Sequence, residues 1–543
     1  MTLRPWVCAG LFGSLAAIHL SAQPKSSSAA PHLERRGDAI QLIVDGKPFL
    51  ALGGELQNNS ATSLEYMRPI WPRLAAMHLN TVLVPISWAL LEPSEGKFDY
   101  ELVDGLIRDA RAQNLRLVPL WFGSWKNTWS SYAPDWVKRD FTRFARVQLA
   151  NGSGTERLSP FCDANREADA RAFAALMRRI KEIDSEAHTV IMVQVENEVG
   201  VIPDARDHSA GANAAYDQPV PQALMDYLLA HKDTLDPDLR ARWQRCGFQP
   251  SGTWETVFGA GLETEDLFMA WHYARYIGKV AEAGKGAYNL PMFANAALIR
   301  PNYAPGQYNS GGPLPHSIDI WRSGGPQLDF LAPDIYFEFK KWVARYDRPG
   351  NPLYVPEAAG DAQSAANVFY AMGQHRAIGF SPFAIDGYNG KELPRSYELL
   401  SQLAPLILEN QPKGRVAGVL LEDLTPSQRL DLGGYTLHVS PGGPRRLFPG
   451  EPVSPDAPRN LPPHGIFIAT APDEFYMAGA NLTVTFAPKT PGPPIAGLAT
   501  VEEGKFVDGH WVRGRTLAGD ETGQGNSVSL HDHMLRVTLY RYR

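Results

Sequence analysis

The amino-acid sequence predicts a (β/α)8 TIM barrel followed by a C-terminal all-β, sandwich-like domain. Two observations carry that expectation. Between Phe49 and Asp386, eight short apolar runs alternate with segments whose apolar residues recur every three or four positions. From about Gln411 the texture changes to short alternating runs between turns rich in Pro and Gly, which is how antiparallel sheet reads. The length of 543 residues agrees, because one hydrophobic core rarely serves so long a chain. An open, doubly wound sheet is the competing architecture. Its first βα turn would carry a GxGxxG pattern, whereas the turn at residues 53–60 is GGELQNNS.

The chain begins MTLRPWVCAGLFGSLAAIHLSA, with Arg4 ahead of an apolar run that the small residues Ser21 and Ala22 close. That order is the pattern of a signal peptide over residues 1–22, so the mature chain is expected to be exported, to the periplasm or outside the cell. Pro5, Gly10, Gly13 and His19 leave the run too short for a membrane span, which needs about 20 apolar residues. Residues 23–37 are polar and Ser-rich and read as a linker. The barrel is expected over residues 38–410, with strands at 49–55, 79–87, 115–121, 189–198, 290–296, 328–336, 351–357 and 379–386. Helical stripes fall at 63–77, 100–113, 164–183 and about 265–283. Residues 201–264 break the rhythm and read as a long insertion. The β-rich domain takes residues 411–543.

Apolar residues at 44% and charged residues at 20% are ordinary for a globular protein. A net charge of −6 with no Lys/Arg run gives no handle for nucleic acid. Beyond the leader only Cys162 and Cys246 remain, enough for one bridge, and the absence of any CxxC or Cys/His cluster argues against a structural metal site.

In a TIM barrel the reactive groups stand where strands end at the C-terminal face. Gln194, Glu196, Asn197 and Glu198 close the fourth expected strand, and Glu357 closes the seventh. Cleaving a glycosidic bond with retention takes one carboxyl to protonate the leaving oxygen and another, roughly 5 Å away, to attack the anomeric carbon. One strand-end glutamate serves a salt bridge about as often as chemistry; two at facing ends favour chemistry. Glu196 and Glu198 share strand parity, so periodicity leaves open which of them faces a substrate. Trp121, Trp125 and Trp129 offer stacking faces, Lys126 and Asn127 could bind hydroxyls, and Asn295 on the fifth strand is a further sugar-contact candidate; rim packing is the alternative for the tryptophan segment.

The segment IMVQVENEVG, residues 191–200, resembles the hallmark of glycoside hydrolase family 35, a β-galactosidase family whose pattern reads roughly VQVENEYG. DGKPFLALGGELQ (45–57) and LNTVLVPISWALLEPSEGKFDY (79–100) are similar to that family's first two strand regions. The resemblance implies Glu198 as general acid/base, Glu357 as nucleophile, Asn197 as partner of the sugar 2-hydroxyl, and Glu196 in support. It also implies a tyrosine on the nucleophile, here Tyr336, a β-galactoside as substrate, and neither metal nor organic cofactor. The chain departs from vertebrate-type members, with Pro85, Ile86, Ser87 and Trp88 where they have YVPW, and with WFGSWKN (121–127) where they have a sugar-contacting Glu. WFGSWKN and DEFYMAGANLTVTF (473–486) look more like a bacterial branch, some of whose members take galactose from xyloglucan side chains.

The expectation is a retaining exo-β-galactosidase acting on an oligo- or polysaccharide by double displacement. A β-glucosidase or β-xylosidase on the same fold would differ in its hydroxyl contacts. A non-catalytic sugar-binding protein would have no need of both glutamates. The oligomeric state stays open, a dimer included. Glu357 must be ionised to attack while Glu198 keeps its proton beside that charge. Once the glycosyl-enzyme forms the charge is gone, and Glu198 can serve as base toward water.

Overall fold

The computed structural model describes residues 1–2, 29–422, 427–442 and 461–543, so the expected signal peptide, apart from its first two residues, lies outside the described residues. Eight parallel strands form the centre: Ala51–Glu55, Thr81–Ser87, Arg116–Lys126, Val193–Asn197, Met292–Ala297, Phe330–Ile335, a seventh in two pieces, and Gly379–Phe380. Each lies on an apolar run read from the sequence. The seventh strand is broken into Tyr354–Val355 and Glu357–Ala358 at Pro356, which has no N–H to donate to a ladder. Its first piece pairs with the eighth strand and its second with the sixth, and the eighth pairs with the first, so the broken strand closes the barrel.

Residues 23–37 were expected to be a linker, yet His32–Arg36 pairs antiparallel with Ala39–Val44, which pairs in turn with Lys47–Phe49. A short charged edge strand is easily taken for linker, since charge is how sheets protect their edges. Leu42 and Val44 of this small sheet pack with Leu83, Leu120, Phe293, Ala332 and Tyr354 from five barrel strands. Asp45 at its turn accepts from Arg116, at the start of the third strand, at 2.7 Å. The small sheet therefore plugs the N-terminal mouth, leaving the C-terminal mouth for chemistry.

The helices follow the apolar stripes, with Pro69 splitting the first into Leu64–Met67 and Ile70–Ala76. Glu101–Ala112, Asp163–Asp184 and Leu262–Ala287 pack outside the strands. The expected insertion carries four short helices, Ala210–Tyr216, Gln222–Ala230, Pro237–Arg245 and Trp254–Phe258. Cys162 and Cys246 are both free, so the bridge the sequence allowed is not made. No helix among the described residues is long and apolar enough to cross a membrane.

Past the barrel, eight strands from Val416–Leu420 to Val528–Tyr542 form one continuous antiparallel sheet. Strand alternation divides its faces. Ile466, Ile468, Tyr476 and Ala478 join the core on the barrel side, while Phe467, Ala469, Phe475 and Met477 belong to a second core of the sheet's own.

Candidate active site

The C-terminal strand ends open on a cavity of about 580 Å³, whose walls include Asn58, Lys126, Asn127, Glu198, Asp334, Tyr336 and Glu357. The loop after the fifth strand adds Arg300, Tyr303, Gln307, Tyr308 and Asn309. Carboxyl oxygens of Glu198, Asp334 and Glu357 lie within 4.8 Å of one another. These three are the residues whose donor geometry could take a cation among the described residues, and the structure already sets the Lys126 ammonium beside them.

Backbone geometry separates the two glutamates that periodicity left tied. Glu196 and Glu198 both have positive φ, 62° and 45°, so regular alternation fails at this strand end. The Glu196 carboxyl turns behind the strand, accepting the N–H groups of Ser124 at 3.1 Å and Trp125 at 2.7 Å and lying against Asp169. Glu198 turns into the cavity. Left-handed backbone at a residue other than Gly costs on the order of 1–3 kcal/mol, so the surroundings must hold it. The Glu198 N–H donates to Asn295 Oδ1 at 3.0 Å, and its carbonyl accepts from Asn309 Nδ2 at 2.8 Å and from the Thr128 N–H at 3.2 Å.

Glu357 is held from two sides. Tyr336 donates its hydroxyl to Oε2 at 2.7 Å and Asn197 donates Nδ2 to Oε1 at 3.2 Å. Lys126 Nζ donates to Asn197 Oδ1 at 2.9 Å, so the amide is oriented with its oxygen on the ammonium and its NH2 on the carboxylate. Burial, and then the charge of Glu357, raise the Glu198 pKa to about 7, against the pull of Lys126. Burial works against the Lys126 cation, but Glu357, Glu198, Glu55 and Asp334 together raise it to about 12. Asp334 and Glu55 are pushed well above the usual carboxylate range, by burial first and then by Glu357.

Five of the residues singled out from the sequence therefore line one space, Glu198, Glu357, Lys126, Asn127 and Tyr336, and Asn197 lies behind them bonded to Lys126 and Glu357. Asn295, expected to touch sugar, is instead a buried brace that holds the Glu198 backbone and donates Nδ2 to Asp334 at 2.7 Å. Trp125, expected as a stacking face, is fully buried; its indole N–H donates to the Leu158 carbonyl at 3.0 Å and its ring meets Tyr273 and Tyr276 edge-on. The third strand runs on to Lys126, so adjacent residues face opposite sides, and of Trp125 and Lys126 it is Lys126 that reaches the cavity. Trp121 is likewise buried, and the Trp129 ring carries the Arg157 guanidinium at 4.0 Å. Asp334, Glu55 and Asn58 went unnoticed in the sequence. Asp334 and Glu55 end apolar runs as Glu198 and Glu357 do, and the same strand-end rule would have found them.

The family model of glycoside hydrolase family 42, described as Beta-galactosidase, matches residues 64–244, and one for a domain of unknown function matches residues 393–529. The first match corrects the resemblance to family 35: the model that spans strands two to four, Glu198 included, is that of family 42, and the xyloglucan suggestion falls with the resemblance. A ten-residue motif around one acid reports a chemical demand more than a lineage. A 222-residue stretch is 26% identical to a beta-galactosidase from Xanthomonas manihotis, covering 40% of this chain and 33% of that protein. The chain thus spans about a third of the length of that curated relative. Similar solved structures include a beta-galactosidase from Rahnella sp. R3, at 15% identity and TM-score 0.45 over 66% of this chain and 57% of that one. Another is the catalytic domain of a beta-amylase from Paenibacillus polymyxa, at 12% identity and TM-score 0.46 over 65% of this chain and 98% of that one.

Proposed function

We propose that this chain is a retaining β-galactosidase that releases terminal β-linked galactose by double displacement, with Glu357 as nucleophile and Glu198 as general acid/base. The observation that carries the reading is the approach of the two carboxyls within 4.8 Å, the short spacing of retaining enzymes rather than the roughly 6.5–9.5 Å that leaves room for a water. The Beta-galactosidase family match and the Xanthomonas manihotis relative support galactose as the sugar. Tyr336 and Asn197 aim Glu357, while Glu198, its pKa raised to about 7, delivers its proton to the leaving oxygen. After Glu357 becomes an ester its charge no longer favours the proton on Glu198, which then takes one from water. Asn197, Lys126 and Asn127 are the proposed hydroxyl contacts. Exo action fits a bounded cavity of about 580 Å³ walled on one side by the loop after the fifth strand. Export is proposed from the leader pattern alone.

The test is hydrolysis of aryl β-galactoside and aryl β-glucoside, with the first-formed anomer followed by proton NMR. Preference for the galactoside with β-galactose released first is expected. First release of α-galactose removes the retaining mechanism, and preference for the glucoside removes galactose.

A further inference from the structure

Double displacement uses two carboxyls, and the site holds a third, Asp334, within the same 4.8 Å. One amide ties it to Glu198. The Glu198 N–H donates to Asn295 Oδ1 at 3.0 Å, Asn295 Nδ2 donates to Asp334 Oδ2 at 2.7 Å, and a carboxyl oxygen of Asp334 lies within 4.8 Å of one of Glu198. Asp334 Oδ1 is buried and receives no N–H or hydroxyl among the described residues. Glu357 takes its donors from Tyr336 and Asn197, so while Glu357 is charged the repulsion among three carboxyls within 4.8 Å is relieved by a proton between the other two. Resting on the glycosidase reading above, we propose that Asp334 is the proton partner of Glu198: the two carboxyls share one proton, and Asn295 braces both so that it is presented to the leaving oxygen.

Groups facing Asp334 come from every neighbouring element. They are Glu357 and Tyr336 beside it, Glu198 on the fourth strand, Glu55 on the first, Lys126 on the third, and Tyr346 at the end of the helix Phe339–Tyr346. Of these only Lys126 is positive. The proton count balances. The resting pair carries one proton and one negative charge, and Glu357 carries a second charge. As the bond from C1 to the leaving oxygen breaks and the bond from C1 to Glu357 forms, the shared proton passes to that oxygen. The pair then holds both charges and Glu357 none. In the second half-reaction water gives its oxygen to C1 and its proton back to the pair, and the ester bond breaks. Asp334 is thus a positioning residue that acts through Glu198 and stores the charge Glu357 gives up.

The experiment compares wild type with Asp334→Asn in two ways: kcat/KM against pH on phenyl and 2,4-dinitrophenyl β-galactosides, and a 13C NMR titration of labelled carboxyls, with Glu198→Gln identifying the Glu198 signal. Asp334→Glu, which keeps a carboxyl, is measured alongside, and thermal unfolding checks that each variant folds. Asp334→Asn is expected to lose roughly 100-fold on the phenyl substrate and less than about tenfold on the dinitrophenyl substrate, whose leaving group needs little acid help. Its alkaline limb and the Glu198 titration should both move down by at least about one pH unit, because the amide of Asp334→Asn can still donate to Glu198 but carries no charge that would hold the shared proton. Asp334→Glu should keep both near wild type. Equal losses on the two substrates with an unmoved titration overturn the proposal. If the wild type cleaves no galactoside, the functional reading fails on its own, and the NMR titration still decides the pairing: a Glu198 signal that does not move in Asp334→Asn overturns it, and a downward move upholds it.

Discussion

Asn197 joins the two charges of the site, its oxygen on Lys126 and its NH2 on Glu357. Hydrogen bonds to charged groups contribute about 1.5–3 kcal/mol, and truncating one partner leaves the other buried without it. Asn197→Ala is therefore expected to lower kcat/KM roughly tenfold to 100-fold, and Tyr336→Phe to lower kcat by a similar factor with a smaller change in KM, both read from steady-state kinetics on an aryl galactoside. Glu198 supplies a pH dependence of two kinds. With its pKa raised to about 7, the alkaline limb of kcat/KM should fall near that pH. The same shift bears on folding. The folded state holds this proton more tightly than the unfolded chain, whose value is 4.5, so the contribution to stability is fully present below 4.5 and is lost as pH rises to about 7. Urea unfolding at pH 4.5 and pH 8 should show that decline, and Glu198→Gln should make it shallower, the raised Glu55 and Asp334 carboxyls supplying the remainder. The acids themselves were legible in the sequence because they end apolar runs. Which of Glu196 and Glu198 faces the cavity was not, because the answer lies in two positive φ angles that no side-chain pattern records.

The strands of the barrel were the most readable elements. Each is buried on both faces and so appears as a near-continuous apolar run, bounded by helices with their own period. What escaped was set by tertiary pairing. His32–Arg36 is strand only because Ala39–Val44 lies beside it, and the break at Pro356 matters only because the two pieces of that strand pair with different neighbours. The length of the third strand decided Trp125: read as ending at Trp121, it left the following segment free to form a rim, whereas the strand continuing to Lys126 turns Trp125 into the core. Barrel closure at the eighth strand leaves no room at Gly379, where a Cβ would lie 2.4 Å from the Tyr354 ring and 2.8 Å from the Ala51 Cβ. Gly379→Ala is expected to destabilise by about 1–3 kcal/mol, through overpacking between the seventh, eighth and first strands, and to lower the melting temperature by calorimetry.

Across the whole molecule, the antiparallel sheet and the barrel share a core through Ile466, Ile468, Tyr476 and Ala478. Ile468→Ala should cost about 2–5 kcal/mol, and because the deleted side chain serves both parts, calorimetry should show barrel and sheet still unfolding in one transition at lower temperature. A barrel transition unchanged by the substitution would mean the two parts are stabilised separately. The change of texture near Gln411 was legible because strand alternation replaces helical period there, but alternation alone did not say that one face would be covered by the barrel. The barrel places two carboxyls at one mouth, and that placement is most directly tested by azide rescue of two variants with the product anomer read by NMR. Glu357→Ala should be reactivated to give the α-galactosyl azide, azide taking the place of the lost nucleophile, and Glu198→Ala should give the β-galactosyl azide by attack on the intact glycosyl-enzyme. Exchange of the two anomers between the variants, or full activity in Glu357→Ala without azide, would contradict the assignment.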